Sequence, residues 1–226
     1  MKAMLLAAGR GERLRPLTDT LPKPLLEAGG KPLIVHAIER LKRAGFTELV
    51  INLGYLGERI EAALGEGRAW GVRIVYSREP QEALETGGGI FQALPQLSDP
   101  FLAVNADIAT DFPFATLPPA DFGLAHLVLV PNPPYHPQGD FALAQGRLRL
   151  EGEKYTFSGI GVYRKALFGG CRPGRFPLAP LLRQAIAQGQ VTGQLYLGYW
   201  SDLGTLERLQ AFDAKLRRGG KPCKTL

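Results

Sequence analysis

The sequence predicts a three-layer α/β protein with a mostly parallel, mixed central sheet, and three observations carry that reading. Short apolar runs alternate with helical patterns through the first half, which is the rhythm of βαβ units. The runs LVIN and FLAV are continuously apolar, as strands covered by helices on both faces must be. Beyond Thr110 the prolines at 118, 119, 131, 133, 134 and 137 and a hairpin signal break the alternation, which makes the sheet mixed.

Taken in order, the first strand spans Met4–Ala7 and a helix spans Leu33–Ala44, stopped by Gly45. A strand over Leu49–Leu53, a helix over Leu56–Leu64 stopped by Gly65, and a strand over Val72–Tyr76 follow. Helix Gly88–Leu94 and strand Phe101–Asn105 close the regular half. In the second half, strand Leu124–Val130 precedes FALAQGRLRLE, where Gly146 sits at the turn of a hairpin. Strand Thr156–Tyr163, helix Leu178–Gln188, strand Gln194–Tyr199 and helix Thr205–Leu216 complete the pattern. No linker long enough to separate two domains intervenes, so residues 1–218 read as one domain and 219–226 as a basic, disordered tail.

Composition narrows the function classes. The chain has 226 residues, 45% hydrophobic and 21% charged, enough for a sizeable core and incompatible with a disordered, collagenous or coiled-coil chain. The net charge of +6 is misleading, because five cations and no acid lie in the last twelve residues, leaving 22 basic against 21 acidic residues upstream. No folded basic face for nucleic acid is implied. Cys171 and Cys223 are too few and too far apart for a disulfide framework, which fits a reducing, cytoplasmic setting. The apolar stretch Ala3 to Ala8 is too short for a secretory core, and no run is long enough to span a membrane.

The first strand is followed at once by LAAGRGERLRPLTDTLPKPLLEAGGKPLI. Gly9 and Gly11 have the spacing of a dinucleotide fingerprint, but its third glycine would fall at Leu14 and no helix follows. A Walker loop fails too, for want of Gly-Lys-Ser/Thr. What remains is a loop of small residues, Ala7, Ala8, Gly9 and Gly11, whose backbone N–H groups can nest an anion. Arg13 and Arg15 stand beside it, and Pro22 and Pro24 stiffen the backbone around Lys23.

Downstream, Asp107 ends the strand FLAVNAD at the edge of the sheet where this loop opens, either as a functional carboxylate or as a turn residue. Asp202 in YWSDLGT is a second carboxylate after a strand, or the cap of the helix near Thr205. Gly87, Gly88 and Gly89 open a helix, offering backbone N–H groups to a ligand or permitting tight packing. His36, His126 and His136 have no metal-ligand spacing.

The run AAGRGERLRPLT…PKPLL resembles the signature of the sugar-1-phosphate nucleotidyltransferases, which join a sugar 1-phosphate to a nucleoside triphosphate and release pyrophosphate. The resemblance covers roughly residues 2 to 212. It implies a Rossmann-like nucleotidyltransferase fold, with Arg13 and Lys23 as catalytic residues. Ala7, Ala8, Gly9, Gly11, Glu12, Arg13 and Lys23 would bind the triphosphate, and Gly87 and Gly88 the base, with Glu79 and Gln81 as further candidates. Asp107 and Asp202 correspond to the family's Mg²⁺ ligands, and Asn105, Asp140, Lys154 and Gly159 to the sugar-phosphate site. The chain departs from the pattern at Ala106, where Gly is usual, and at Tyr155, where many relatives have Pro.

The motifs GRGER, ETGGGI and FSGIGVY, by the same resemblance, imply UTP and N-acetylmuramate 1-phosphate as substrates, in peptidoglycan recycling. Guanylyl or thymidylyl transfer to mannose, heptose or glucose 1-phosphate, and a non-catalytic nucleotide-binding module, remain as alternatives. Arg147, Arg149 and Lys154 are the candidate partners for the lactyl carboxylate of such a sugar. No obligate protein partner is implied.

Overall fold

The computed structural model describes residues 1–80, 83–118 and 122–219. Gln81 and the tail from 220 onward, both assigned from sequence, lie outside the described residues. Strand β1 (Lys2–Leu6) is followed by a long loop that holds one helical turn, α1 (Leu17–Thr20), and a short hairpin of β2 (Glu27–Ala28) and β3 (Lys31–Pro32). Helix α2 (Leu33–Arg43) buries Leu33, Ile34, Ala37, Ile38 and Leu41, one apolar face at helical spacing. Arg40, Lys42 and Arg43 crowd its last turn, where cations complement the helix dipole. Strand β4 (Glu48–Leu53), α3 (Gly57–Leu64), β5 (Arg73–Arg78), α4 (Glu85–Ala93) and β6 (Phe101–Asn105) complete the alternation, and β1, β4, β5 and β6 are mutually parallel.

The second half supplies β7 (Ile108–Thr110), β8 (Ala125–Val130), β9 (Phe141–Ala144), β10 (Arg147–Arg149) and β11 (Lys154–Tyr163). Helix α5 (Leu178–Ala187), β12 (Val191–Leu195), β13 (Trp200–Asp202) and α6 (Leu206–Gly219) follow. Among the described residues, nine strands form one mixed sheet in the order β5, β4, β1, β6, β11, β8, β12, β10, β9. Only β10 and β11 run against the others. The hairpin between β9 and β10 turns on Gln145 and Gly146, both at positive φ (50° and 72°), the conformation a two-residue hairpin loop demands.

Alternation along β1 divides the core. Ala3 and Leu5 join Ile34, Ile38 and Ile60 of α2 and α3, whereas Met4 joins Ile90 and Leu182 of α4 and α5. Each fully buried aliphatic side chain contributes about 1.5–3 kcal/mol. A third, smaller cluster of Leu14, Leu26, Ala28, Leu33, Ala109, Leu203, Leu209 and Phe212 locks α6 to the loop after β1 and to β7. That cluster positions the site, because it brings the two ends of the chain together.

The strand expected over Gln194–Tyr199 is instead two strands. Strand β12 lies in the main sheet beside β8, and β13 leaves it to pair antiparallel with β7. The connecting residues are apolar enough to read as strand, but Leu197 is 75% exposed. Among the described residues no helix is long and apolar enough to cross a membrane.

Candidate active site

Strands β1, β4 and β6 are parallel and in register, so their carboxyl ends open on one edge of the sheet. There the loop after β1 is tied to its neighbours by Asn52. The Ala7 N–H donates to Asn52 Oδ1 at 2.7 Å, and Asn52 Nδ2 donates to Glu79 Oε1 at 2.6 Å. Glu79 Oε2 in turn accepts the Leu84 N–H at 3.1 Å. The amides from Ala8 to Gly11 make no hydrogen bond among the described residues, which leaves them to face an anion. Gly11, at φ 69°, packs against Lys23, and its carbonyl accepts from Thr18 Oγ1 at 2.9 Å. Gly54 supports the loop from below, since a Cβ there would stand 2.6 Å from the Ala8 carbonyl.

Lys23 begins a single 3₁₀ turn and its side chain is 10% exposed. Its ammonium forms an ion pair with the Asp107 carboxylate, just past β6. Ala106, where a glycine was the expected type, is buried and donates its N–H to the Leu6 carbonyl at 3.0 Å. The β7–β13 ladder sets Asp202 opposite Ile108, and the Leu203 N–H donates to the Asp107 carbonyl at 2.8 Å, so both acids stand at one place. Asp202 Oδ1 accepts the Gly204 N–H at 3.0 Å and lies 2.7 Å from Arg208 Nη1. Arg13 approaches from the other side: a Cβ on Gly204 would be 2.5 Å from Arg13 Nη2 and 2.9 Å from Asp202 Oδ1. Three cations thus surround two carboxylates, an arrangement that favours anionic ligands.

A cleft of about 230 Å³ lies over this floor, lined by Ala7, Ala8, Gly9, Lys23, Asn52, Glu79, Thr86, Asn105 and Asp107 among others. Glu12 and Arg13 are exposed and are not among the residues that line it. The expectation for Gly87 and Gly88 needs correction, because both are buried against the segment after Cys171 rather than lining the cleft. A Cβ on Gly87 would meet the Phe176 ring at 2.6 Å and one on Gly88 the Gly174 carbonyl at 2.3 Å, and the Gly88 N–H donates to the Phe176 carbonyl. Packing accounts for these glycines, and their helix reaches the cleft through Glu85 and Thr86.

A second pocket, of about 320 Å³, adjoins the first through Asn105 and is lined by Tyr135, His136, Thr156, Phe157, Ser158, Trp200 and Asp202. Gly159, at φ 79°, makes room for Asn105, whose Nδ2 would be 2.6 Å from a Cβ there. Trp200 Nε1 donates to the Ser158 carbonyl at 2.9 Å. Asp140 does not line the pocket: its Oδ2 accepts the Phe157 N–H at 2.7 Å and its Oδ1 lies 3.2 Å from His136 Nε2, so it holds the pocket's wall. Lys154 also stands outside the lining and contributes a carbonyl to Asn132 Nδ2. Arg147 and Arg149 are exposed on the hairpin, with Arg147 Nη1 donating to the Gly189 carbonyl.

Several site residues escaped sequence reading. Asn52 was signalled by the one polar side chain within LVINL, whereas Tyr135, His136 and Arg208 carried no local signal. Burial, followed by Asp202, raises the Tyr135 phenol above its ordinary range, and the Arg208 guanidinium stacks 4.1 Å from that ring. Among the described residues no group of three or more His, Cys, Asp or Glu side chains could hold a metal alone. Two adjacent carboxylates do fit Mg²⁺, which takes one or two carboxylates and completes its shell with water and substrate phosphates.

Residues 2–118 match the family model described as nucleotidyl transferase. The chain is 53% identical over 225 residues to "N-acetylmuramate alpha-1-phosphate uridylyltransferase" of Neisseria meningitidis serogroup B, covering 95% of this chain and 97% of the relative. A protein of the same name from Caulobacter vibrioides is 35% identical over 232 residues, covering 95% and 96%. Among solved structures, one from Bacillus anthracis described as a glucose-1-phosphate thymidylyltransferase superposes with a TM-score of 0.84 at 23% identity, over 96% of this chain and 95% of that one, a likeness of fold. The family match takes in the glycine loop, Lys23 and Asp107, the two relatives extend it over nearly the whole chain, and the chain therefore belongs to the nucleotidyl transferase family.

Proposed function

We propose that this chain transfers UMP from UTP to N-acetylmuramate α-1-phosphate, forming UDP-N-acetylmuramate and pyrophosphate. The observation that carries the substrate pair is the 53% identity, over nearly the full length of both chains, to a uridylyltransferase named for that sugar. The two pockets that meet at Asn105 support it, since the reaction needs a nucleotide and a sugar phosphate side by side.

In this reading a phosphate oxygen of the sugar substrate attacks the α-phosphorus of UTP in line, and the α–β bond breaks to release pyrophosphate. That oxygen is already anionic at neutral pH, so positioning and charge stabilisation suffice and no general base is needed. The amides of Ala8 to Gly11, with Arg13, hold the triphosphate. Lys23, between the loop and Asp107, holds phosphate charge where the two substrates meet. Asp107 and Asp202 would hold Mg²⁺, which when bound neutralises phosphate charge and orients the reacting group. Asn52 and Glu79 shape the nucleotide end, and Asn105 with Trp200 the sugar end.

The same reading makes residues 1–218 one catalytic domain of three-layer, Rossmann-like architecture. It places the enzyme in peptidoglycan recycling in the cytoplasm, and calls for no nucleic-acid, membrane or obligate protein partner. The test is kcat/KM across UTP, GTP and dTTP, each with N-acetylmuramate, N-acetylglucosamine, mannose and heptose 1-phosphates and Mg²⁺. UTP with N-acetylmuramate 1-phosphate is the expected optimum. A preference for GTP with mannose or heptose 1-phosphate overturns the substrate pair and leaves the reaction class standing.

A further inference from the structure

N-acetylmuramate differs from N-acetylglucosamine by a lactyl ether that ends in a carboxylate, and a site that takes this anion out of water must offer it a donor. The cations suggested by the sequence do not reach the sugar pocket: Arg147 and Arg149 are exposed on the hairpin, and Lys154 is outside the lining. His136 lines the pocket, but its Nε2 is engaged with Asp140.

Arg208 is not among the lining residues either, but it touches two of them. It lies in the first turns of α6 with a side chain 16% exposed, and its Nε donates to Thr205 Oγ1 at 3.1 Å. Its guanidinium stacks on Tyr135 and touches Asp202, and both of these residues line the sugar pocket. Arg208 Nη1 is buried 2.7 Å from Asp202 Oδ1 without the alignment of a hydrogen bond, and it has no other acceptor among the described residues. A buried guanidinium N–H without an aligned acceptor is costly, and the planar fork of donors matches a carboxylate. Asp202 Oδ1 has an independent donor in the Gly204 N–H, so it is not left bare when Arg208 takes a second anion.

We propose that Arg208 is the specificity-determining residue for the sugar substrate, donating from its guanidinium to the lactyl carboxylate while the Tyr135 ring fixes its plane. The assignment rests on the N-acetylmuramate reading above. Arg208 then shares its charge between Asp202 and the substrate, and a sugar without the carboxylate leaves its donors unpaired.

The experiment compares kcat/KM for N-acetylmuramate 1-phosphate and N-acetylglucosamine 1-phosphate, each with UTP, in the wild-type chain and in Arg208→Ala, Arg208→Gln and Arg208→Lys. The wild-type chain is expected to prefer the carboxylated sugar, and Arg208→Ala to lower that preference by about 10- to 100-fold. Arg208→Lys retains the charge without the fork and keeps part of the preference. If Arg208→Ala does not fold, Arg208→Gln carries the same comparison. A residue that merely holds Asp202 moves both substrates alike, so an unchanged ratio in the variants overturns the assignment alone. A wild-type chain with no preference for the carboxylated sugar overturns the substrate reading and this assignment together.

Discussion

Lys23 and Asp107, 84 residues apart in sequence, form an ion pair on the floor of the cleft where the glycine loop meets the end of β6. Nearly all of the lysine side chain is buried, held by a turn between two prolines, so its position is set before a substrate arrives.

Substitution of Lys23 by Ala removes a preorganised donor from the point where phosphate charge accumulates. Its kcat should fall by about 10²–10³. Thermal unfolding should shift by only a few degrees, and a variant within a few-fold of the parent would exclude Lys23 from the transition state.

Asp107→Asn and Asp202→Asn each keep the shape of the site and remove a negative charge. Each should raise the Mg²⁺ concentration needed for half-maximal turnover and lower the maximal rate, and EDTA should abolish the parent activity until Mg²⁺ is restored. Activity indifferent to EDTA would contradict the metal assignment.

Asn52→Leu tests the tie between the loop and its neighbours. The change leaves the Ala7 N–H without its acceptor and Glu79 Oε1 without its donor, in a position only 4% exposed. A loss of about 2 kcal/mol in denaturant unfolding is expected, together with a raised KM for the nucleotide. A change in stability alone would separate Asn52 from nucleotide binding.

Gly88→Ala puts a methyl group 2.3 Å from the Gly174 carbonyl, which is backbone and cannot turn aside. The cost should appear as about 1–3 kcal/mol of stability. Nucleotide KM measured on the folded fraction should change little, and a large KM effect with normal stability would return this glycine to the base site.

His126 is 8% exposed, and burial lowers its pKa below the ordinary 6.5. The native state then resists protonation while the unfolded chain accepts it, so stability is retained above about pH 6.5 and lost as pH falls below it. Urea unfolding between pH 7.5 and pH 5 should show this loss, and His126→Gln should reduce it.

Local motifs were legible in the sequence, and the pairing of distant segments was not. Lys23, Asp107 and Asp202 sit in dense local motifs; Lys23 and Asp107 line the first cleft, and Asp202 lines the pocket that adjoins it. The partner of β13 was not legible, because Ser201 and Asp202 pair with Ala109 and Ile108, more than ninety residues earlier, and a ladder that short leaves no periodic trace. At Gly87 and Gly88 the glycine signal was genuine but mute about cause: it says a side chain is unwelcome, not that Phe176 and Gly174 exclude it. Arg208 was invisible for the opposite reason, since a cation on an amphipathic helix reads as a solvated face until Tyr135 and Asp202 are seen against it.

The most direct test of the account is to identify the product formed by the purified chain from UTP, N-acetylmuramate α-1-phosphate and Mg²⁺. UDP-N-acetylmuramate is expected by mass, with an equal amount of pyrophosphate, and little of either from Asp107→Asn under the same conditions. Absence of UDP-N-acetylmuramate from the wild-type reaction, or its undiminished formation by Asp107→Asn, would contradict it.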